Sequence, residues 1–344
     1  MKHENENEKM DRRDFMKSSA LAAAGAVAAA STAASAAEEK KADLIKENKF
    51  KVLDFRCRPP LKSFGGLFKM RIGMFENRPN VLANPATFGK VPASIQAFAD
   101  GKKEAMDLWW KEIDECGIES VVVAGRYMDG QPEMSMDTAD LLEYEKKYKD
   151  RFYGIAPINI DQPIDKALEK LEKDLKGPIR GVTIEPGYRV KGGPTTLDNK
   201  DFFPLYEMIQ QSGKFLQVQT GAFANPMNWN EPNEIWRMDD VMRQFPKLKL
   251  ILGHGGFPRI TEALALALKW PSVTLSADVY TFWPGGQLYQ QNIEMLQDQF
   301  VYGSAYPFAN FKETLEQALA LPLSDAVFEK YLYHNSRKLL GLES

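Results

Sequence analysis

The chain has 344 residues, 44% of them hydrophobic and 26% charged, with a formal net charge of −3. That length suits one large barrel or two ordinary domains. Lysine and arginine are scattered among acids, which excludes a general nucleic-acid-binding surface.

Residues 1–36 read as a segment outside the fold. Asp11-Arg12-Arg13-Asp14-Phe15-Met16-Lys17 resembles a twin-arginine export signature, an Ala-rich stretch follows from Ser18, and Ala34-Ser35-Ala36 offers a small-residue cleavage pattern. The stretch is too weakly apolar for a stable membrane span. The mature protein is therefore expected to be periplasmic or otherwise extracytoplasmic, with the twin-arginine export machinery as a partner. Residues 37–49 read as a polar linker.

Beyond the linker, apolar runs alternate with amphipathic stretches. The strand candidates are Lys51–Phe55, Ser120–Ala124, Tyr153–Pro157, Gly181–Ile184, Phe215–Gln219, Leu248–Leu252, Thr274–Ala277 and Phe300–Tyr302. Helical runs lie between most of them, at Ala105–Cys116, Thr138–Tyr148, Ile164–Leu175, Phe203–Gln211, Trp236–Gln244, Ile260–Leu268 and Gln287–Gln297, and Phe311–Leu319 and Ser324–Leu340 follow the last strand. Such alternation implies an α/β fold with a parallel sheet. Eight units favour closure into a (β/α)8 TIM-type barrel over an open sheet. Residues 59–104 interrupt the rhythm and read as a Pro-, Gly-, Met- and aromatic-rich loop after the first strand. A connection this long is expected to be a lid or an interface arm in a homo-oligomer. Cys57 and Cys116 read as buried thiols, although a disulfide is permitted outside the cytoplasm.

Several ordered motifs carry a resemblance. They are Met106 with Trp110-Lys111-Glu112-Ile113-Asp114-Glu115-Cys116-Gly117-Ile118, then Phe245-Pro246-Lys247-Leu248-Lys249 leading into Gly253-His254-Gly255-Gly256. Tyr302-Gly303-Ser304-Ala305-Tyr306-Pro307-Phe308 and His334-Asn335-Ser336-Arg337-Lys338-Leu339-Leu340-Gly341 complete the set. From residue 50 to the C-terminus the chain resembles the amidohydrolase-related proteins, the branch that also contains metal-dependent decarboxylases. The resemblance implies one barrel over residues 50–344 and, in ordinary members, a divalent metal at its mouth. The implied ligands are a His-x-His pair on strand 1, histidines ending strands 5 and 6, and an aspartate ending strand 8.

This chain departs from that pattern at all but one position. Strand 1 carries Arg56 and Arg58, strand 5 Gln219 and strand 8 Ala305, and only His254 on strand 6 matches. A guanidinium has no lone pair to offer a metal and repels a divalent cation. The expectation is a site with no metal and no other cofactor. Arg56 and Arg58, two residues apart, are expected on one face pointing into the barrel mouth, where paired guanidiniums suit a carboxylate. Arg126 and Arg189 are further substrate-binding candidates, with Gln219 and Tyr306 as uncharged partners. His254, Asp278 and Glu185 are the candidates for proton transfer. Equally open is a structural role, in which Glu185 and Asp278 pair with the arginines inside the barrel.

The functional expectation is an exported, metal-independent hydrolase acting on a small anionic carboxylate. Two alternatives stand beside it: a decarboxylase of the same family, and a non-catalytic extracytoplasmic binding protein. A metal enzyme using His254, Asp278 and Glu185 is a further reading.

Overall fold

The strand runs are short and apolar on both faces, as a parallel sheet covered by helices requires. In the computed structural model, which describes residues 44–77, 90–127, 135–186, 196–221 and 234–343, these runs form one sheet. Strands β1 (Val52–Asp54), β2 (Ile118–Ala124), β3 (Phe152–Pro157), β4 (Gly181–Ile184), β5 (Phe215–Gln219), β6 (Lys249–Gly253) and β7 (Val273–Ser276) pair in sequence order, all parallel. The chain divides into two units, Met1–Asn48 and Lys49–Ser344. Of the first only residues 44–48 are described, so the export signature and its cleavage pattern lie outside the described residues. No helix among the described residues is long and apolar enough to cross a membrane.

The eighth strand position is filled by an irregular extended segment, which closes the (β/α)8 barrel. On one side, Val301 N–H donates to Leu275 O (3.1 Å) and Leu275 N–H to Gln299 O (2.7 Å), bonding the segment to β7. On the other, Phe55 N–H donates to Tyr302 O (2.9 Å), Ala305 N–H to Arg56 O (2.8 Å) and Arg58 N–H to Tyr306 O (2.9 Å), bonding it to β1 and its continuation. Phe300–Tyr302 was expected as a regular strand, but its backbone is shared with the C-terminal helices. Tyr302 N–H donates to Tyr331 O (3.0 Å), and the Asn335 amide donates to Phe300 O (2.8 Å).

Those C-terminal helices are broken for the same reason. Ser324–Leu340 reads as one helix in the sequence. The structure instead has a helix at Asp325–Glu329, a π-helical turn at Lys330–His334 and a helix at Asn335–Leu339. In the π turn Asn335 N–H reaches back to Lys330 O. The Tyr331 carbonyl, its partner in a regular α-helix, is thereby released to accept from Tyr302.

One apolar cluster, including Leu53, Phe55, Val122, Tyr153, Phe215, Ile251 and Val301, fills the barrel. The Phe55 and Phe215 rings lie 5.9 Å apart. Gly181 faces them from β4, where a Cβ would come within 2.4 Å of the Phe215 ring, so a side chain there would displace the core. Truncating Phe215 to alanine would cost roughly 3–5 kcal/mol.

The helices follow local signals. The Asp137 carboxylate accepts from Thr138 N–H (2.6 Å) at the start of Thr138–Lys147. The helix Phe203–Ser212 has proline in its first turn and ends at Gly213, with φ 69°. Ile164–Lys176 buries Ala167 and Leu171, leaving its charged residues outward.

Residues 59–104 depart from the loop reading. They contain helix α1 (Gly65–Asn77) and helix α2 (Ala93–Ala99) ahead of α3 (Ala105–Glu115). The glycines Gly65, Gly66 and Gly73 argue against a helix by propensity, but packing prevails. Phe64, Phe68 and Arg71 are buried, and the Phe68 ring lies 4.8 Å from Phe98 of α2.

Candidate functional site

The C-terminal ends of the strands gather the charged residues of the barrel. Asp54 ends β1 and is fully buried, and its Oδ1 accepts from the backbone N–H groups of Arg56 (2.9 Å) and Ser304 (3.0 Å). It thus ties the end of β1 to the eighth segment. Burial raises its carboxyl pKa to about 7, although the hydrogen bonds from Ser304 and Arg56 oppose the rise.

Regular β1 stops at Asp54, and Phe55 and Arg56 are bends. By strict alternation from the inward-facing Leu53 and Phe55, Arg56 would point away from the barrel interior. The bend instead turns it into the mouth. There its Nη2 lies 3.0 Å from His254 Nε2, and its Nε 3.8 Å from Asp278 Oδ2. Gly303 makes room: a Cβ there would sit 2.7 Å from Arg56 Cβ and 2.8 Å from Asp278 Oδ1.

Three residues without the freedom of glycine adopt left-handed backbone at successive strand ends. They are His254 (φ 63°) after β6, Asp278 (φ 55°) after β7 and Ala305 (φ 59°) in the eighth segment. Each such residue costs on the order of 1–2 kcal/mol. Strain of this kind clusters where side chains must be aimed.

Two linked groups result. Arg58 Nη2 donates to Glu185 Oε1 at 2.8 Å, and Arg126 Nε lies 3.4 Å from Glu185 Oε2. Burial alone would raise the Glu185 pKa, but Arg126 and Arg58 outweigh it and hold the carboxyl below its ordinary value. Burial, then the neighbouring Arg56, brings the Arg58 pKa down to about 10, so it stays cationic at neutral pH. In the second group the Ser276 hydroxyl donates to Asp278 Oδ1 (2.6 Å), and Asp278 Oδ2 lies 3.1 Å from His254 Nδ1. That last contact is an ion-pair approach, and Asp278 acts on the ring by raising its pKa against the larger effects of burial and Arg56.

The protonation of His254 follows from its neighbours. Burial first, and Arg56 second, lower its pKa below the ordinary value, so the ring is neutral at pH 7. Arg56 can only donate, so Nε2 is the accepting nitrogen and the ring proton sits on Nδ1, facing Asp278.

Three guanidiniums, of Arg56, Arg58 and Arg126, thus face the carboxyls of Glu185 and Asp278. Arg56 Nη1 and Arg58 Nε are buried N–H groups without a hydrogen-bond partner among the described residues. An aromatic wall stands beside His254: Tyr280 meets its ring edge-on at 5.3 Å, and Phe257 and Trp283 pack on Tyr280.

The structure therefore brings Arg56, Arg58, Arg126, Glu185, His254 and Asp278 together. Gln219 lies beside them, fully buried, against Gly253. Arg189 lies outside the described residues. Tyr306 does not join the group. Its hydroxyl bonds Ser94 of α2 and donates to Glu112 of α3 (3.2 Å), and its ring stacks on Phe311 at 4.4 Å. The residue after left-handed Ala305 is turned outward to the helices, which sequence spacing did not reveal. Asp54 was not singled out from sequence, although an acidic residue in an otherwise apolar strand was a visible signal.

Comparison with known proteins places this architecture. Residues 118–342 match the profile of the Amidohydro_2 family, described as amidohydrolase. The chain belongs to this amidohydrolase family. An uncharacterized TIM-barrel protein from Bordetella bronchiseptica is 27% identical, with a TM-score of 0.72 over 85% of this chain and 99% of that one. A 5-carboxyvanillate decarboxylase from Sphingomonas paucimobilis is 14% identical, with a TM-score of 0.57 over 86% and 100%. A dihydroxybenzoic acid decarboxylase from Polaromonas, solved with manganese and 2-nitroresorcinol, is 16% identical, with a TM-score of 0.60 over 85% and 97%. At these lower identities the likeness concerns the fold. No curated protein matches the sequence.

The amidohydrolase metal does not fit this chain's mouth. Arg56 already occupies the His254 Nε2 lone pair, and Glu185 is held by Arg58 and Arg126. Among the described residues no three His, Cys, Asp or Glu side chains are grouped as a metal ion requires. A divalent cation would meet guanidiniums at the positions where the family resemblance puts histidines.

Proposed function

We propose that this amidohydrolase-family protein is an exported enzyme that cleaves a small organic carboxylate without a bound metal. The observation that carries the reading is the excess of buried guanidinium donors at the barrel mouth, with Arg56 Nη1 and Arg58 Nε unpartnered among the described residues. A substrate carboxylate is the natural complement to such a pair. The twin-arginine-like sequence near the N-terminus supports export.

Hydrolysis is the reaction the geometry favours. A carboxylate bound to Arg56 and Arg58 draws Arg56 off His254, freeing the Nε2 lone pair. Nε2 then takes a proton from water as the water oxygen adds to an acyl carbon. Asp278, on the Nδ1 side, stabilises the imidazolium, which returns the proton to the leaving group. Decarboxylation is the second reading. The named aromatic-acid decarboxylases of like fold and the aromatic wall of Phe257, Tyr280 and Trp283 favour it. Against it stands the Arg56 guanidinium on His254 Nε2, which makes that nitrogen an acceptor and not a donor to a departing carbanion.

The test incubates the mature chain, Ala37 onward, with carboxylate-bearing esters and amides and with hydroxybenzoates, and measures metal content alongside. Release of alcohol or amine, with kcat reduced roughly 10²–10⁴-fold in His254→Ala and KM raised in Arg56→Ala, is the expected result. Release of CO2 selects the second reading. Anion binding without turnover identifies a binding protein. One metal per chain, lost in His254→Ala, overturns the metal-free mechanism.

A further inference from the structure

The wall formed by β4 and β5 holds polar groups that the proposed reaction does not use. Thr183 pairs with Gln217 across the two strands, and Gly181 with Phe215. Side chains two residues apart on a strand share a face. Phe215 belongs to the apolar cluster that fills the barrel, so Thr183 and Gln217 also face the interior, one layer above it. Gln219 and Glu185 form the next layer, where Arg58 binds Glu185.

The Thr183 hydroxyl and both polar atoms of the Gln217 and Gln219 amides have no hydrogen-bond partner among the described residues. All three residues are no more than 2% exposed. Unpaired buried polar groups of this kind are costly, and native proteins seldom keep several adjacent without a purpose. All three side chains are uncharged and can both donate and accept. That pattern matches a hydroxyl, which does both.

We infer that Gln217 and Thr183, with Gln219 above them, form a specificity subsite for a neutral hydroxyl group of the substrate, remote from its carboxylate. The inference rests on the reading of Arg56 and Arg58 as the carboxylate clamp. Gln217 lies two residues below Gln219, about 6.6 Å along the strand. That is about the span of one six-membered ring. A para-hydroxybenzoate-like acid, with its carboxylate on the arginines, places its hydroxyl at that depth, whereas an ortho hydroxyl stays level with the clamp.

The test is calorimetric binding of benzoate, 2-hydroxybenzoate and 4-hydroxybenzoate to the mature full chain, to Gln217→Met and to Thr183→Val. In the native protein 4-hydroxybenzoate binds about tenfold more tightly than benzoate, and 2-hydroxybenzoate gains less. In both variants the ratio of 4-hydroxybenzoate to benzoate affinity falls towards one. Their melting temperatures hold or rise, because an unpaired buried polar group has been removed. Loss of stability with the ratio intact assigns the two residues to internal packing or bound water and overturns the subsite. Benzoate bound equally by Arg58→Ala, or not at all, removes the clamp and the subsite together. Benzoate bound through Arg58 with no gain from the para hydroxyl overturns the subsite alone.

Discussion

Arg56 Nη2 lies 3.0 Å from His254 Nε2, so the guanidinium sits on the one lone pair that the histidine could offer. With the Nδ1 proton turned towards Asp278, the ring is held neutral and occupied. On the proposed reading, an anion that competes for Arg56 would expose the base as it binds and so couple substrate capture to proton transfer.

Replacing Arg56 by glutamine is expected to raise the His254 pKa. Burial is the larger cause of its depression and remains, so recovery is partial. Heteronuclear NMR titration of the ring nitrogens measures it. A pKa equal in both proteins would show that Arg56 does not act on the ring.

Asp54 gives a stability test with a definite sign. Its carboxyl titrates near 7 in the folded chain against an ordinary value of 3.8. Between those values the folded state holds the extra proton, so this group's contribution falls as pH rises through the window and is level above it. Asp54→Asn keeps the acceptor for Arg56 and Ser304 but cannot ionise. Its stability relative to the native protein should grow between pH 4 and pH 7, by an amount on the order of a few kcal/mol. Denaturant unfolding at several pH values reads the difference. A pH-independent difference would mean that Asp54 does not titrate in that range.

Glu185 is the counter-charge for two buried cations. Glu185→Gln leaves Arg58 and Arg126 facing each other and should cost roughly 3–5 kcal/mol. Millimolar benzoate should restore part of the lost melting temperature in this variant by supplying a carboxylate. Absence of any rescue would argue that the mouth does not admit an organic anion.

Tyr306→Phe separates structure from substrate contact. The hydroxyl bonds Ser94 and Glu112, and burial already raises the Glu112 pKa. Its removal should cost about 1–3 kcal/mol in unfolding free energy. KM should not change, because this hydroxyl is directed to the helices. A raised KM with unaltered stability would return Tyr306 to the substrate site.

Much of the site was legible because barrel topology assigns roles to strand ends. His254 after β6, Asp278 after β7 and Glu185 after β4 stand at the mouth because each follows an inward strand, and a parallel barrel brings all such ends together. Arg56 and Arg58 were expected on one face by an alternation that stops at Asp54. A bend, not the strand, delivers them. The inserted helix Gly65–Asn77 was hidden because its glycines speak against helix, while the burial of Phe64, Phe68 and Arg71 that stabilises it involves residues distant in the chain.

By itself the sequence determined the alternation of strands and helices, and hence the α/β barrel. Both rest on hydrophobic periodicity, which is local. It also carried Arg56 and Arg58 at the two positions where the family resemblance implies metal-binding histidines. Only the tertiary structure decided which partner each charge takes. Arg56 lies on His254, Arg58 and Arg126 share Glu185, and Tyr306 turns away to Ser94 and Glu112. These pairings depend on backbone bends at 55–56 and left-handed turns at 254, 278 and 305. Such turns are set by close packing among residues some 250 positions apart in the chain, as in the bond from Ser304 N–H to Asp54.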